Sequence, residues 1–189
     1  MSKKKITKGD YEYAAYHKKT ELIKTLIMFA LPIGIYITGY VTTHSNKNLL
    51  TVVTVLGMLP ASKCLVSLIM NLRVKVLPGE VSQEIDEHIH DIKGLYNLYF
   101  TSYDNNFYLA HTIVLDKSLI GYTTDSKFND KKFKEHMEKH IQLEGLDGIL
   151  IKVFNDKNAY IKRLDEINSS QTDKKSNEKL YNLLLSISL

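Results

Sequence analysis

Two histidines four residues apart, His136 and His140, have the spacing in this sequence that comes nearest to a metal site. At i and i+4 they share one face of a helix. The zinc-protease pattern H-E-x-x-H needs a glutamate directly after the first histidine, and here Met137 fills that place. Lys131, Lys132, Lys134 and Lys139 surround the pair, and like charge opposes a divalent cation. These neighbours favour a solvated helix face. His88 and His90 are two apart and diverge on a helix. His111 has no carboxylate partner visible in the sequence. No metal and no cofactor are expected.

Other chemistry is equally sparse. The chain has no glycine-rich phosphate loop and no G-x-S-x-G nucleophile turn. Its one cysteine, Cys64, lies in an apolar stretch, which excludes an intrachain disulfide and a multi-cysteine metal centre. A small membrane-embedded hydrophobe is its expected role. The best polar-aromatic lining for a ligand is Tyr99, Tyr103, Tyr108 and His111, which are also ordinary strand residues.

The elements that must position these residues divide the chain in two. A mean hydropathy of −0.17 hides an apolar stretch between Leu22 and Val76. Charge is split as unevenly: residues 1–78 hold 11 Lys/Arg and 3 Asp/Glu, and residues 79–189 hold 14 and 18. The basic excess thus flanks the apolar stretch, while the remainder is mildly acidic and disfavours a nucleic-acid backbone as partner.

From Thr25 to Asn46 there are 22 residues without Lys, Arg, Asp or Glu. About 20 apolar residues cross a hydrocarbon core of about 30 Å. A second apolar stretch follows Lys47 and is broken only by Lys63 before Arg73. The expectation is a transmembrane helical hairpin over residues 21–76, with spans at about 22–43 and 48–72, preceded by a basic cytoplasmic segment, 1–20. The first apolar run is too long for a cleaved signal peptide and lacks its small-residue site. Lys3, Lys4, Lys5, Lys8, Lys18, Lys19 and Lys24 lie ahead of the uncharged run of the first span and Lys63, Arg73 and Lys75 end the second, whereas the turn offers Lys47 alone. The positive-inside rule then places both termini in the cytoplasm, in a multi-pass protein of the cytoplasmic (inner) membrane.

Ala30, Pro32 and Gly34 in the first span and Gly57, Pro60 and Ala61 in the second put a proline inside a small-xxx-small pattern in each helix. Small residues let helices approach closely, so these six are the expected packing residues, within the hairpin or against a second copy or a membrane partner. Lys63 is an intramembrane charge, and such a charge is functional by default. It is close enough to the inner boundary to snorkel.

Beyond Pro78 the pattern predicts an α+β domain over 79–168, then a polar linker and C-terminal helix, 169–189. Val81, Ile85, Ile89 and Ile92 have helical spacing between Glu80 and Lys93. Strands are expected at 95–102, 107–115, 119–123 and 148–154, with helices at 130–143 and 159–167. The order is α-β-β-β-α-β-α-α.

That order resembles the core of the PD-(D/E)xK nuclease superfamily, and the stretch from His111 to Thr123 is similar in apolar pattern to a strand-turn-strand of its nuclease-related members. The resemblance implies an acid on the second strand and E-x-K on the third. Ala110 and Gly121-Tyr122-Thr123 stand there instead, so the resemblance implies at most a catalytically inactive relative, because Mg²⁺ needs carboxylates. The lysine-rich start, the two spans, Leu59-Pro60-Ala61-Ser62-Lys63 and the tyrosine-rich sheet also resemble an uncharacterised family of small bacterial two-span membrane proteins. Some of these carry the label "O-linked GlcNAc transferase-like". Such transferases need helical repeats and a large nucleotide-sugar domain, and this chain has room for neither. The expectation is a membrane-anchored binding or scaffold protein without evident catalysis. The alternatives are a ligand-sensing or enzymatic α+β domain at the membrane, or a catalytically inactive PD-(D/E)xK-like domain.

Overall fold

A computed structural model describes residues 6–89, 92–103, 105–169 and 177–189. The chain is α+β, with six helices and a four-stranded mixed sheet among the described residues. It forms two units: Ala14–Arg73, and residues 1–13 together with Val74–Leu189.

The first unit is a pair of helices, α1 (Tyr13–Thr43) and α2 (Leu49–Arg73). Asn48 closes the turn between them. Its Nδ2 donates to Gly39 O at 3.1 Å and its Oδ1 accepts from Thr51 N at 2.8 Å. Both helices are long and apolar enough to cross a membrane, and only 17% of the most apolar window of each is buried. The buried side chains form a seam of Glu21, Thr25, Pro32 and Gly39 from α1 and Thr54, Ala61, Leu68 and Asn71 from α2. Thr25 Oγ1 donates to Cys64 O at 3.2 Å and Thr54 Oγ1 to Pro32 O at 3.4 Å.

The α1 helix starts before the apolar run because polar residues 13–21 are also good enough helix formers to continue it outward. The paired proline patterns are used differently by the two helices. Pro32 faces the seam, where its ring lies 3.2 Å from the place a Gly57 side chain would start. Positions two apart differ by about 200° around a helix, so Ala30 and Gly34 then face outward, and both are exposed. In α2 the small residues turn inward: Ala61 is fully buried and Gly57 half-buried, and Pro60 is exposed on the flank.

The second unit is a sheet with helices on both faces. Strands β1 (Gly94–Thr101), β2 (Asn106–Leu115) and β3 (Ser118–Tyr122) form an antiparallel meander, and β4 (Leu150–Phe154) lies parallel to β3, giving the order β1-β2-β3-β4. Helix α4 (Asp130–Leu143) makes the β3–β4 crossover. It starts on Asn129, whose Oδ1 caps Lys132 N at 3.0 Å. It stops where Gly145 takes a φ of 66°, with Leu146 N donating to Ile141 O and Gly145 N to Gln142 O, the bond pair of a Schellman end.

Phe133, Met137 and Ile141 of α4 and Leu180, Leu183 and Leu184 of α6 (Glu178–Ile187) cover one sheet face, against Leu95, Phe100, Phe107, Leu109 and Leu119. Ile85 of α3 (Gly79–Glu87) and Tyr160, Leu164 and Ile167 of α5 (Lys157–Ser169) cover the other, against Tyr96, Tyr108, Ala110, Ile120 and Tyr122. Both faces are therefore dry, and this explains why β2 is buried at nearly every position rather than at alternate ones.

Helix α3 ends at Glu87, short of the Lys93 that the isoleucine spacing suggests. Contacts from α5 take over there: Asp165 Oδ1 lies 2.6 Å from His88 Nδ1, and Asn168 Nδ2 donates to His88 O. The expected polar linker falls mostly at 170–176, outside the described residues.

The chain's ends cover the open edge of β1. Tyr96 N donates to Gly9 O and Leu189 N to Tyr99 O, each at 2.8 Å, and Lys8 Nζ donates to Ser188 O. Residues 6–12 thus join the sheet unit instead of forming part of a separate basic segment. An uncovered edge is a template for mispairing, and here the termini occupy it.

Candidate functional site

The densest polar constellation lies under α5, on the sheet face that carries the tyrosines. Strand β1 reaches it through a local reversal. Leu95 and Leu98 are three apart yet pack in the same core, and between them Asn97 has a φ of 53°. Opposite, Leu109 and Val114 share that core although they are five apart, while Ala110 and Ile113 point to the other face. The pairing register is the same on either side of this level, where Asn97 and Ala110 are themselves left out of the ladder. Both strands switch facing together, and the switch puts Tyr96, His111 and Tyr122 side by side on one rung.

His111 is fully buried, and its Nδ1 is 2.6 Å from the Tyr160 hydroxyl. Its ring lies 4.5 Å from that of Tyr96, and Tyr122 stacks on Tyr160 at 5.5 Å. Burial lowers the imidazole pKa to about 3, so the ring is neutral at physiological pH. Burial raises the phenols of Tyr96, Tyr108 and Tyr160 above their usual range, and Tyr96 is raised further by donating to Asp86 at 2.5 Å. His111 Nε2 has no hydrogen-bond partner and points at Gly94, where any Cβ would collide with it. A glycine inside a strand often marks such a close approach.

Asn97 is the second centre. Its Oδ1 accepts from Leu77 N at 2.8 Å and from the Tyr108 hydroxyl at 2.9 Å, while its Nδ2 donates to Tyr11 O at 3.3 Å. Tyr11 in turn donates to Leu77 O at 2.8 Å. One side chain thereby ties the segment before α1 to the segment after α2. Nothing in the local sequence signals this, because both partners are far away along the chain.

Of the four residues expected to line a ligand site, Tyr108 and His111 meet on this face, and Tyr99 packs half-buried at its margin. Tyr103 stands fully exposed in the β1–β2 turn and is not brought to them. Within the cluster the rings of Tyr96, His111, Tyr160 and Tyr122 lie in contact with one another, and a cavity of about 370 Å³ opens beside Tyr96 and Gly94, lined also by Gly9, Asp10, Tyr11 and Glu12. At the positions where the nuclease pattern would carry its two acids and its lysine, Ala110 is fully buried, Gly121 packs on Leu109, and Thr123 Oγ1 donates to Tyr108 O at 2.6 Å. The described residues hold no group of three or more metal-ligating side chains.

On α4, His136 and His140 do share a face, with rings 4.5 Å apart. His140 Nδ1 lies 2.8 Å from His136 O. A carbonyl only accepts, so this nitrogen carries the proton. Burial first, then His140 and Lys139, lower the pKa of His136. Lys134 pairs with Asp130 at 2.7 Å. In the hairpin, Lys63 is exposed.

This arrangement comes without a recognisable relative: no family model matches the chain, and neither the curated proteins nor the solved structures give a match to it.

Proposed function

We propose that this protein is anchored in the cytoplasmic membrane by the α1–α2 hairpin and holds its α+β domain at the cytoplasmic surface as a binding or scaffold module without catalysis. The observation that carries this reading is the hairpin's exterior. Leu26, Ile27, Leu31, Val41, Leu49, Val55 and Leu59 are all exposed, whereas the long apolar helix of a soluble core is mostly buried. An apolar surface of that extent needs lipid or a partner around it. The basic residues outside the turn support cytoplasmic termini. The outward Ala30 and Gly34 offer a close-approach surface for a second copy or another membrane helix.

The reading without catalysis draws support from the neutral residues at Ala110 and Gly121, where a PD-(D/E)xK-like site would need acids. The sheet order, with β4 parallel to β3, supports a second reading, an inactive PD-(D/E)xK-like domain. A third, a ligand-sensing domain, draws on the pocket beside α4 described below. Affinity purification from native membranes in mild detergent, with mass spectrometry of what co-elutes, separates these. A stoichiometric protein partner or a defined homo-oligomer is the expected result. A lone monomer carrying a small molecule would overturn the scaffold reading in favour of the sensor.

A further inference from the structure

The pocket between the β1–β2 turn and α4 has a volume of about 450 Å³, within the usual range for small-ligand sites of about 300–1,000 Å³. Phe107 and Leu143 give it apolar walls, Ser102 and Asn105 contribute a hydroxyl and a carboxamide from the turn, and Lys132, His136, Lys139 and His140 line it from α4. These four fall at i, i+4, i+7 and i+8, which is a single helical stripe. Glu135 is the one carboxylate among the described residues that line it; Asp104, in the same turn, lies outside the described residues.

We propose that this pocket binds a phosphate monoester, with Lys132 and Lys139 supplying the charge, His136 a hydrogen bond, and His140 a second one from Nε2 when its ring is protonated. The geometry favours an anion over a metal ion. His140 is locked by the His136 carbonyl, and two lysines flank the pair, so a divalent cation would meet a repulsive field. That same field is what His136 feels from His140 and Lys139, and a bound dianion would neutralise it. Polar residues from two elements line a recess with apolar walls, which fits a compact ligand with an organic part better than an extended polymer. The site stands on α4 and the β1–β2 turn alone and is independent of membrane anchoring.

The consequence is a pH linkage of defined sign. An anion that neutralises the local field raises the lowered pKa of His136, so binding takes up protons and strengthens as pH falls toward 6. The experiment follows the imidazole resonances of the full-length protein, labelled at histidine, in neutral detergent micelles at constant ionic strength. Inorganic phosphate is one probe and short-chain phosphatidate doped into the micelle is the other. Sulfate, which stays dianionic across the range, controls for the probe's own titration.

The expected result is a saturable shift of the His136 and His140 resonances, with the pKa of His136 raised by about half a unit or more, and no response at His17, His44 or His88. Lys132→Gln or Lys139→Gln, both at exposed positions, weakens binding by about fivefold or more. Response to phosphate assigns a soluble phosphomonoester, and response to phosphatidate alone assigns a lipid headgroup. A uniform drift of all surface histidines would overturn the site, as would no response to either probe. A response only to a short oligonucleotide would replace it with a nucleic-acid surface.

Discussion

The two units of this protein are built with opposite polarity. In the hairpin the buried positions include Glu21, Thr25, Thr54 and Asn71, and the exposed ones are leucine, isoleucine and valine. In the sheet unit Phe100, Phe107, Phe133 and Leu184 are buried, and Lys131, Lys132, Glu135, Glu138 and Lys139 of α4 are exposed. Water drives the burial of apolar surface in the second case. Under the proposed membrane anchoring that drive is absent between the two helices, and small residues and hydrogen bonds would hold the seam instead. On that reading the same chain obeys two solvents, and an average over its composition describes neither.

Truncating a large side chain tests that contrast most strongly. Phe133→Ala should destabilise the sheet unit by about 3–5 kcal/mol, read as a shift in the denaturation midpoint of the full chain in micelles by near-ultraviolet tyrosine dichroism. Leu26→Ala on the hairpin exterior should leave that midpoint within about 0.5 kcal/mol. Equal effects would abolish the distinction between the two interiors.

Acid acts next. Below about 6.5 the unfolded chain protonates His111, while the folded chain resists protonation down to about 3. Stability contributed by the neutral ring is thus lost as pH falls through that window, at about 1 kcal/mol per pH unit. A pH series of denaturation midpoints should show this slope, and His111→Gln should flatten it.

How much of this was legible in the sequence depends on the range of the interactions. Helix α4 was readable end to end, because Phe133, Met137 and Ile141 repeat locally and Asn129 caps locally. The strands were readable to within a residue or two, from their aromatic and β-branched content. The facing of His111 was not readable, since it depends on a reversal at Asn97 and Ala110 that breaks the alternation. Nor was the docking of residues 6–12 on β1, which is set by partners across the fold. Gly94 was the one local sign of the buried imidazole, as a glycine inside an aromatic strand. The proline patterns were visible, but their symmetry in sequence did not reveal that one helix turns its proline to the seam and the other its small residues.

Asn97→Ala sharpens the comparison where the segments on either side of the hairpin meet the sheet. It strands Leu77 N–H and the Tyr108 hydroxyl and places alanine at positive φ, a loss of about 1–3 kcal/mol in sheet-unit stability. Hydrogen exchange should show the extra opening first at Leu77. The smallest effect is within the hairpin. Gly57→Leu pushes against Pro32 and should cost about 1–3 kcal/mol of helix-pair stability, whereas Gly34→Leu, with open space before it, should cost under about 0.5 kcal/mol. A crosslink between cysteines placed across the seam reports both.

The central claim, that the hairpin lies in a bilayer with the sheet unit in the cytoplasm, is tested most directly by fractionating cells that express the full chain with a C-terminal reporter active on only one side of the membrane. The account predicts that the protein stays in the membrane pellet after alkaline carbonate extraction and that the reporter signal is cytoplasmic. Release into the soluble fraction would remove the anchor, and a signal from the far side would reverse the topology.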